Sequence, residues 1–404
     1  MKIVKIKQKG VLVPIIYDYD DSLPIVSLKL VFKNSGVVSE KQQGVAKLFA
    51  KILNEGTKKL GNTKFNRKLE IKDIHFSFST GFEAFYMEIS SLKENFNFAL
   101  KAFCELLNDV NFDEKVLEKL KIKTLGSIAS KKTDYDYQAS LELHKLLYKG
   151  SRLQYPLIGD EKSISNIKLI DLKNFMNNLN LSNLFLTLCG DIKFDEINYD
   201  KLLDKFDKGK VKKLDFIATS TAKQTKMLKK DTKQAYIYFG SAFDIDKSQY
   251  YLANVALFVL GSSGFGSRLM EEIRVKRGLA YSVYARNEFS LSHKSVFGYL
   301  QTKNESKDEA IKLVKSEFDK FVKFGITQDE LNQAKNFLLG SQPLAKETLF
   351  KRMDIAMREF YDGFELGEFD RNLAKIKALK LEDLNKFIKS HTEIAKLSFA
   401  VIYK

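Results

Sequence analysis

The sequence predicts an α+β protein made of two tandem homologous domains, each a mixed, mainly antiparallel sheet with helices packed on one face. Strand and helix patterns follow one another without the strict alternation that a parallel sheet requires. The order of these patterns also repeats. The tripeptide LGS at 125–127 recurs at 339–341, and the dipeptide DL at 171–172 recurs at 383–384, with an offset of about 213 residues. An offset this steady across separate elements indicates an internal duplication.

The duplication defines the domain boundaries. The two copies are predicted at 1–207 and 234–404, and a lysine- and threonine-rich segment without apolar periodicity at 208–233 is predicted as the linker.

Alternating and helical apolar patterns place the individual elements. In the first copy, strands are predicted at 3–7, 10–17, 25–32, 74–80, 85–89 and 184–189, and helices at 44–53, 95–109, 114–131, 138–148 and 169–178. In the second copy, strands are predicted at 235–239, 280–288, 295–302 and 397–403, and helices at 249–260, 306–324, 328–340, 347–362 and 381–390.

Composition and charge exclude several classes of protein. The chain has 404 residues, of which 44% are hydrophobic and 29% are charged, as in ordinary globular proteins. The net charge of +16 comes from scattered lysines, and no nucleic-acid-binding signature accompanies them. We therefore expect a solvated basic surface and no nucleic-acid partner. The first residues contain no continuous apolar region, which argues against a signal peptide, and no apolar run is long enough to cross a membrane.

The two cysteines and four histidines are isolated in the sequence. Cys104 and Cys189 lie within apolar runs, so we expect core thiols, no disulfide and a cytoplasmic location. No two histidines lie within five residues of each other, so neither orientation of the two-histidine zinc helix motif exists in the chain.

The stretch LGSSGFGSRLMEEIRVKRGLAY at 260–281 is the most informative part of the sequence. It predicts a short helix from Ser267 that ends at Gly278, because glycine readily adopts the left-handed conformation that terminates helices. Tyr281 then begins a strand, and alternation places its side chain on the same face as that of Val283. The loop between helix and strand can therefore present the Arg274 guanidinium and the Tyr281 phenol together, a pair suited to a peptide carbonyl or an oxyanion.

The segment SRLMEEIRVKRGLAYSV at 267–283 closely resembles the second-domain pattern of the pitrilysin/insulinase (M16) metallopeptidases. The duplication resembles the short, two-domain branch of that family, which includes the mitochondrial processing peptidase subunits. The resemblance implies a LuxS/MPP-like metallohydrolase fold. It also implies that Arg274 and Tyr281 bind substrate and support the tetrahedral intermediate.

The zinc motif of that family, HxxEH, is degenerate here. It belongs on the first-domain helix, where this chain reads GVAKLFAKILNEGT at 44–57. Lys47 and Lys51 occupy the histidine positions, Ala50 occupies the position of the glutamate base, and the family's spacing places Ser127 at the third ligand. Two lysines one helical turn apart are expected to repel Zn²⁺, so we expect that this chain binds neither a metal nor another cofactor.

Three functions remain open on this resemblance. The first is that of a non-catalytic subunit, which would enclose half of a peptide chamber and lend Arg274 and Tyr281 to a homologous, HxxEH-containing, zinc-bearing partner. Alternatively, the chain is an inactive structural or peptide-binding protein of the same fold, working as a homodimer or heterodimer. The third possibility, a peptidase in its own right, has no recognisable catalytic set to support it.

The resemblance also implies that substrate peptide joins a first-domain sheet as an added strand. The matching segment here comprises Ile74, His75, Phe76, Ser77 and Phe78. Its alternation fits either an edge strand that accepts a peptide or an ordinary half-buried strand.

Overall fold

The chain folds into two compact units, each of which draws on both halves of the sequence. The computed structural model describes residues 1–404. Unit 1 comprises 1–129, 156–214 and 346–366, and unit 2 comprises 130–155, 215–345 and 367–404. Most of each unit therefore comes from one of the two predicted domains. Each unit also contains one segment from the other half of the sequence, which the duplication alone does not indicate.

Eleven strands form the two sheets. They are β1 Lys2–Gln8, β2 Val11–Tyr19, β3 Ile25–Phe32, β4 His75–Thr80, β5 Phe85–Leu92, β6 Leu184–Gly190, β7 Thr225–Lys229, β8 Gln234–Ala242, β9 Ala280–Phe289, β10 Lys294–Lys303 and β11 Ser398–Tyr403.

Sixteen α-helical segments accompany them. They are α1 Val45–Leu53, α2 Gly61–Glu70, α3 Lys93–Asn108, α4 Glu114–Lys131, α5 Tyr135–Leu147, α6 Glu161–Asn166, α7 Leu169–Asn177, α8 Tyr199–Leu203, α9 Tyr250–Leu257, α10 Arg268–Met270, α11 Lys307–Phe324, α12 Gln328–Gly340, α13 Gln342–Ala345, α14 Leu349–Tyr361, α15 Glu368–Ala378 and α16 Leu381–Ser390.

Five strands have the same topology in both sheets, and the sheet of unit 1 has β1 as a sixth strand. The order in unit 1 is β1-β2-β6-β3-β5-β4, and the order in unit 2 is β7-β11-β8-β10-β9. In both sheets one pair is parallel, β2 with β6 and β7 with β11, and every other pair is antiparallel. Five strands of unit 1 thus correspond one by one to the five strands of unit 2. This match confirms the predicted α+β fold with two mixed, mainly antiparallel sheets.

Apolar periodicity explains how the helices pack. In α1, Val45, Leu48, Phe49 and Ile52 recur at helical spacing and are buried in the main core of unit 1. A smaller cluster of unit 1 joins Met353 and Ala356 of α14 to apolar residues of β2, β3 and β6. In unit 2, α5 packs against β8 and β11. Each sheet is therefore also covered by one helix that the sequence order assigns to the other copy.

Several elements lie where the sequence pattern predicts none. The predicted linker contains β7, which pairs in parallel with β11 and forms an edge of the sheet in unit 2. Its residues are largely exposed, which removes the apolar alternation by which strands are recognised. The helices α2 and α15 contain few apolar residues, and the sequence pattern missed them as well. None of the helices is both long enough and apolar enough to span a membrane.

Candidate functional site

Arg274 lies in an unusual turn that follows α10. Ser267 begins this short helix by accepting a hydrogen bond from the backbone of Met270. The chain then widens into a π-helical turn over Glu271–Val275, a geometry often found at functional sites. Gly278 ends the turn with a φ of +62°. The predicted glycine termination is confirmed, and the helix that it ends is a short α-helix continued by a π-turn.

Tyr281 lies at the start of β9, the edge strand of the sheet in unit 2. Ala280 pairs with Thr302 and Val283 pairs with Leu300, so β9 has one more residue than β10 in this interval. Such a bulge interrupts the alternation of side chains. Val283 is fully buried, whereas Tyr281 is 83% exposed, so the prediction that they share a face is wrong. The bulge turns the Tyr281 ring outward.

The structure brings Arg274 and Tyr281 together and adds a third side chain. The Arg274 guanidinium carbon lies 4.5 Å from the centre of the Tyr281 ring and 4.5 Å from that of Phe265. Phe265 comes from the loop that precedes α10 and is 70% exposed. We call Phe265, Arg274 and Tyr281 the arginine sandwich. The sequence contained one signal for Phe265, a large apolar residue between the two glycines of an exposed loop, but sequence reasoning did not select it.

Neighbouring arginines show how differently Arg274 is held. Arg268 donates to both carboxylate oxygens of Glu330, at 2.6 and 2.7 Å, and to the carbonyl oxygen of Gly325 at 2.9 Å. Arg277 donates to Glu272, whose carboxylate is also bonded by Lys276. These two donors lower the pKa of the Glu272 carboxyl. No carboxylate or carbonyl accepts from Arg274, so its N–H groups remain available to a ligand.

At the positions that the sequence resemblance assigns to the zinc motif, the structure places two hydrogen-bonded ammonium groups. Lys47 Nζ donates to the carbonyl oxygen of Thr80 at 2.6 Å, and Lys51 Nζ donates to Thr124 Oγ1 at 2.7 Å. Ala50 lies on the same helix, is buried, and has no group that could act as a base. Burial lowers the pKa of both lysines, and Lys47 lowers that of Lys51 further.

The structure also shows which residue of α4 faces this position. Thr124 is fully buried and contacts Lys51, whereas Ser127 is exposed and bonds back to the carbonyl oxygen of Lys123. The family's spacing selects Ser127, one turn beyond the residue that contacts Lys51 in the structure.

These residues do not fit a zinc ion. Zinc in proteins takes thiolate, imidazole or carboxylate ligands, and this position offers ammonium donors, a methyl group and a hydroxyl that already accepts a hydrogen bond. No group of three or more histidine, cysteine, aspartate or glutamate side chains in the chain is arranged to hold a metal.

The predicted peptide-binding segment lies mostly in β4, which forms an edge of the sheet in unit 1 and pairs only with β5. Ile74 precedes the strand and is buried. Phe76 and Phe78 face the core, while His75 and Ser77 are exposed, and the His75 ring lies 3.1 Å from the Asp73 carboxylate. The edge position leaves alternate backbone groups of β4 unpaired by the sheet.

Comparison with known proteins places the chain in a family. A family model described as insulinase, peptidase family M16, matches residues 15–161, and one described as the peptidase M16 inactive domain matches residues 166–338. The crystal structure of a peptidase M16 inactive domain from Pseudomonas fluorescens has a TM-score of 0.91 and 24% identity, covering 100% of this chain and 98% of its own. At this level of identity the likeness shows a shared fold.

Two relatives that match most of this chain support the assignment to a family. A Bacillus subtilis protein named uncharacterized zinc protease YmxG is 26% identical over 321 residues, covering 76% of this chain and 75% of its own. A Helicobacter pylori protein named non-peptidase homolog YmxG is 41% identical over 396 residues, covering 96% of this chain and 91% of its own. With this identity over almost its whole length, the chain belongs to peptidase family M16.

Proposed function

We propose that this protein is a non-catalytic subunit of a heterodimeric zinc metalloendopeptidase, in which it supplies Arg274 and Tyr281 and half of the peptide chamber to a zinc-bearing homologue. The chain itself would bind no zinc and cleave no peptide. Substitution of the zinc-motif positions by Lys47, Ala50 and Lys51 supports this absence of activity, as does the relative named a non-peptidase homolog.

The arginine sandwich is the observation that carries the proposal. A planar guanidinium offers paired N–H donors to a peptide carbonyl or carboxylate, and the two rings restrict its orientation before a ligand arrives. In this chain the group is held by Phe265 and Tyr281, both exposed, and its donors are unfilled. A protein with only a scaffolding role gains nothing from an arginine held in this state.

The test is made in the complex with the native partner. Arg274→Ala is expected to lower the turnover of peptide cleavage about 10²–10³-fold, which is the usual effect of removing one donor to an oxyanion. Tyr281→Phe removes only the phenol hydroxyl and keeps the ring that stacks on Arg274, so it tests the hydroxyl by itself. Arg274→Lys is expected to be as defective as alanine, because an ammonium cannot reproduce the planar pair of donors.

Arg277→Gln is the matched control, since Arg277 lies in the same short stretch but is already bonded to Glu272. Its complex is expected to keep wild-type turnover. Full activity of an Arg274→Ala, Tyr281→Phe double variant would reject the proposal.

The second candidate is an inactive structural or peptide-binding protein of the same fold. The lack of zinc ligands favours it as much as the first, and a homodimer would satisfy it. Co-purification separates the two, because the first requires a partner that contains HxxEH. A peptidase in its own right is the third candidate and would require cleavage by the isolated chain. In each case we expect a cytoplasmic protein whose partners are peptides and homologous chains.

A further inference from the structure

We propose that Lys47 occupies the last outward-facing carbonyl of the edge strand β4, and that it thereby sets where a peptide paired with this edge must end. The inference rests on the proposed peptide-binding function. It concerns unit 1, whereas the test of the proposed function concerns side chains of unit 2, so the two can fail separately.

The hydrogen-bond pattern of the sheet shows which groups of β4 face outward. Thr80 is the partner of Phe85, and the backbone N–H of Gly81 donates to the carbonyl oxygen of Ala84 at 3.0 Å. In an antiparallel ladder this bond identifies Thr80 and Phe85 as a non-hydrogen-bonded pair, whose own N–H and C=O groups point away from each other. The carbonyl of Thr80 therefore points to the free edge, as do those of Phe78 and Phe76 at two-residue intervals.

Lys47 fills one of these outward positions. Its Nζ atom lies 2.6 Å from the Thr80 carbonyl oxygen, within the range of a strong, charge-assisted hydrogen bond. The lysine is half-buried on α1, and α1 packs against β4. Withdrawal of the ammonium from Thr80 would leave a partly desolvated charge with one partner fewer.

An added strand gains its affinity from main-chain hydrogen bonds to the edge that it joins. A peptide on β4 can pair with Phe76 and Phe78, but at Thr80 it meets the Lys47 ammonium. Lys51 has no such role, since its ammonium is bonded to a side chain of α4. The lysine at the first zinc-motif position thus shortens the usable edge of β4.

The experiment uses the full chain and a synthetic ten-residue peptide of alternating valine and threonine with a glutamate at each end. Lys47→Met keeps an unbranched side chain and removes the ammonium. The variant is expected to bind the peptide about threefold to tenfold more tightly, the effect of about one added hydrogen bond. Bound peptide should slow exchange of the Phe76 and Phe78 amide hydrogens in both forms, and the variant should protect one more amide hydrogen of the peptide, the one that donates to the Thr80 carbonyl.

Lys51→Met is the matched control and is expected to bind the peptide with wild-type affinity. Lys47→Gln, whose side chain is too short to reach the same position, serves if Lys47→Met does not fold. The inference is wrong if neither Lys47 variant binds the peptide more tightly than the wild type, which includes the case of no binding to any form. It is also wrong if the wild type and Lys47→Met protect the same number of peptide amide hydrogens from exchange.

Discussion

An arginine stacked between two aromatic rings has fewer orientations to lose when a ligand binds. The Arg274 guanidinium is 4.5 Å from each ring centre, and each cation–π contact at an exposed site contributes about 0.5–1 kcal/mol. No carboxylate or carbonyl of the chain accepts from the Arg274 N–H groups, which leaves them free to donate. Phe265 contacts Arg274 as closely as Tyr281 does, and the sequence motif alone, which contains only Arg274 and Tyr281, does not reveal this contact.

Introducing zinc ligands tests which residue of α4 faces the positions that the sequence resemblance assigns to the zinc motif. Lys47→His, Ala50→Glu and Lys51→His combined with Thr124→Glu is expected to bind one zinc ion per chain, because Thr124 already contacts position 51. Exchange of Lys51 for the shorter histidine leaves room for the larger glutamate. The same triple variant with Ser127→Glu is expected to bind zinc about tenfold or more weakly, since this side chain points away and one ligand is lost.

Elemental analysis after dialysis and a competition titration against a chelator measure both variants. The wild type, expected to retain no stoichiometric zinc, is the control. Tighter binding by the Ser127→Glu form would show that the family's spacing identifies the third-ligand position better than the contact between Lys51 and Thr124.

At the scale of single elements, one ion pair links α10, which precedes the π-turn of Arg274, to α12, in addition to the burial of Leu269, Met270 and Ile273 in the core of unit 2. Arg268 links α10 to the start of α12 through Glu330, and both side chains are largely removed from solvent, with 18% and 25% exposed. Glu330 also accepts from the backbone of Thr327 and so completes the first turn of α12. Burial of this carboxyl opposes its ionisation, but Arg268 and Thr327 together hold its pKa below the ordinary value.

We predict that Arg268→Gln lowers the free energy of unfolding by about 2–3 kcal/mol, because several charge-assisted hydrogen bonds are lost in a partly buried setting. Arg277→Gln, which removes a more exposed ion pair, is expected to change it by at most about 1 kcal/mol. Denaturant unfolding of the two variants measures the difference. Equal stabilities would show that the Arg268–Glu330 pair does not hold α10 to α12.

The stretch from Gly278 into β9 shows which local features the sequence predicts and which it does not. Glycine termination at Gly278 and a strand beginning near Tyr281 were predictable, because both follow from local backbone preferences. The bulge in β9 was not, since it is a relation between two strands and appears only when β9 pairs with β10. For a similar reason β7 escaped prediction. Its residues are largely exposed, and it is recognised as a strand only by pairing with β11.

At the scale of the whole chain, the duplication predicts topology better than it predicts which residues fold together. Five strands share order and direction in both units, as a repeated sequence requires. The segments 130–155 and 346–366, however, each fold with the other copy's sheet. Their helices α5 and α14 show ordinary apolar patterns that indicate burial but not the surface they cover. Domain boundaries drawn at a linker therefore cannot reveal this exchange.

Because the segments 130–155 and 346–366 each fold with the sheet of the other copy, a truncated chain is unsuitable for experiments on the partner. A fragment that ends at the predicted linker would lack α14, which supplies Met353 and Ala356 to a buried cluster of unit 1. The full chain must therefore be used. Isolated in this form, it is expected to bind no stoichiometric zinc and to show no peptidase activity, because its zinc-motif positions carry lysine and alanine.

Purified from its native source, the full chain is expected to bring with it a homologue that contains HxxEH. The complex should hold one zinc ion per heterodimer and cleave peptides, because in the proposed heterodimer the homologue supplies the metal site and this chain supplies Arg274 and Tyr281. Native mass spectrometry gives the stoichiometry, and mixing the partner with wild-type or Arg274→Ala chain gives the dependence of cleavage on this subunit. A homodimer that holds no zinc and needs no homologue would instead support the structural or peptide-binding function, in which the unfilled donors of Arg274 serve binding without cleavage.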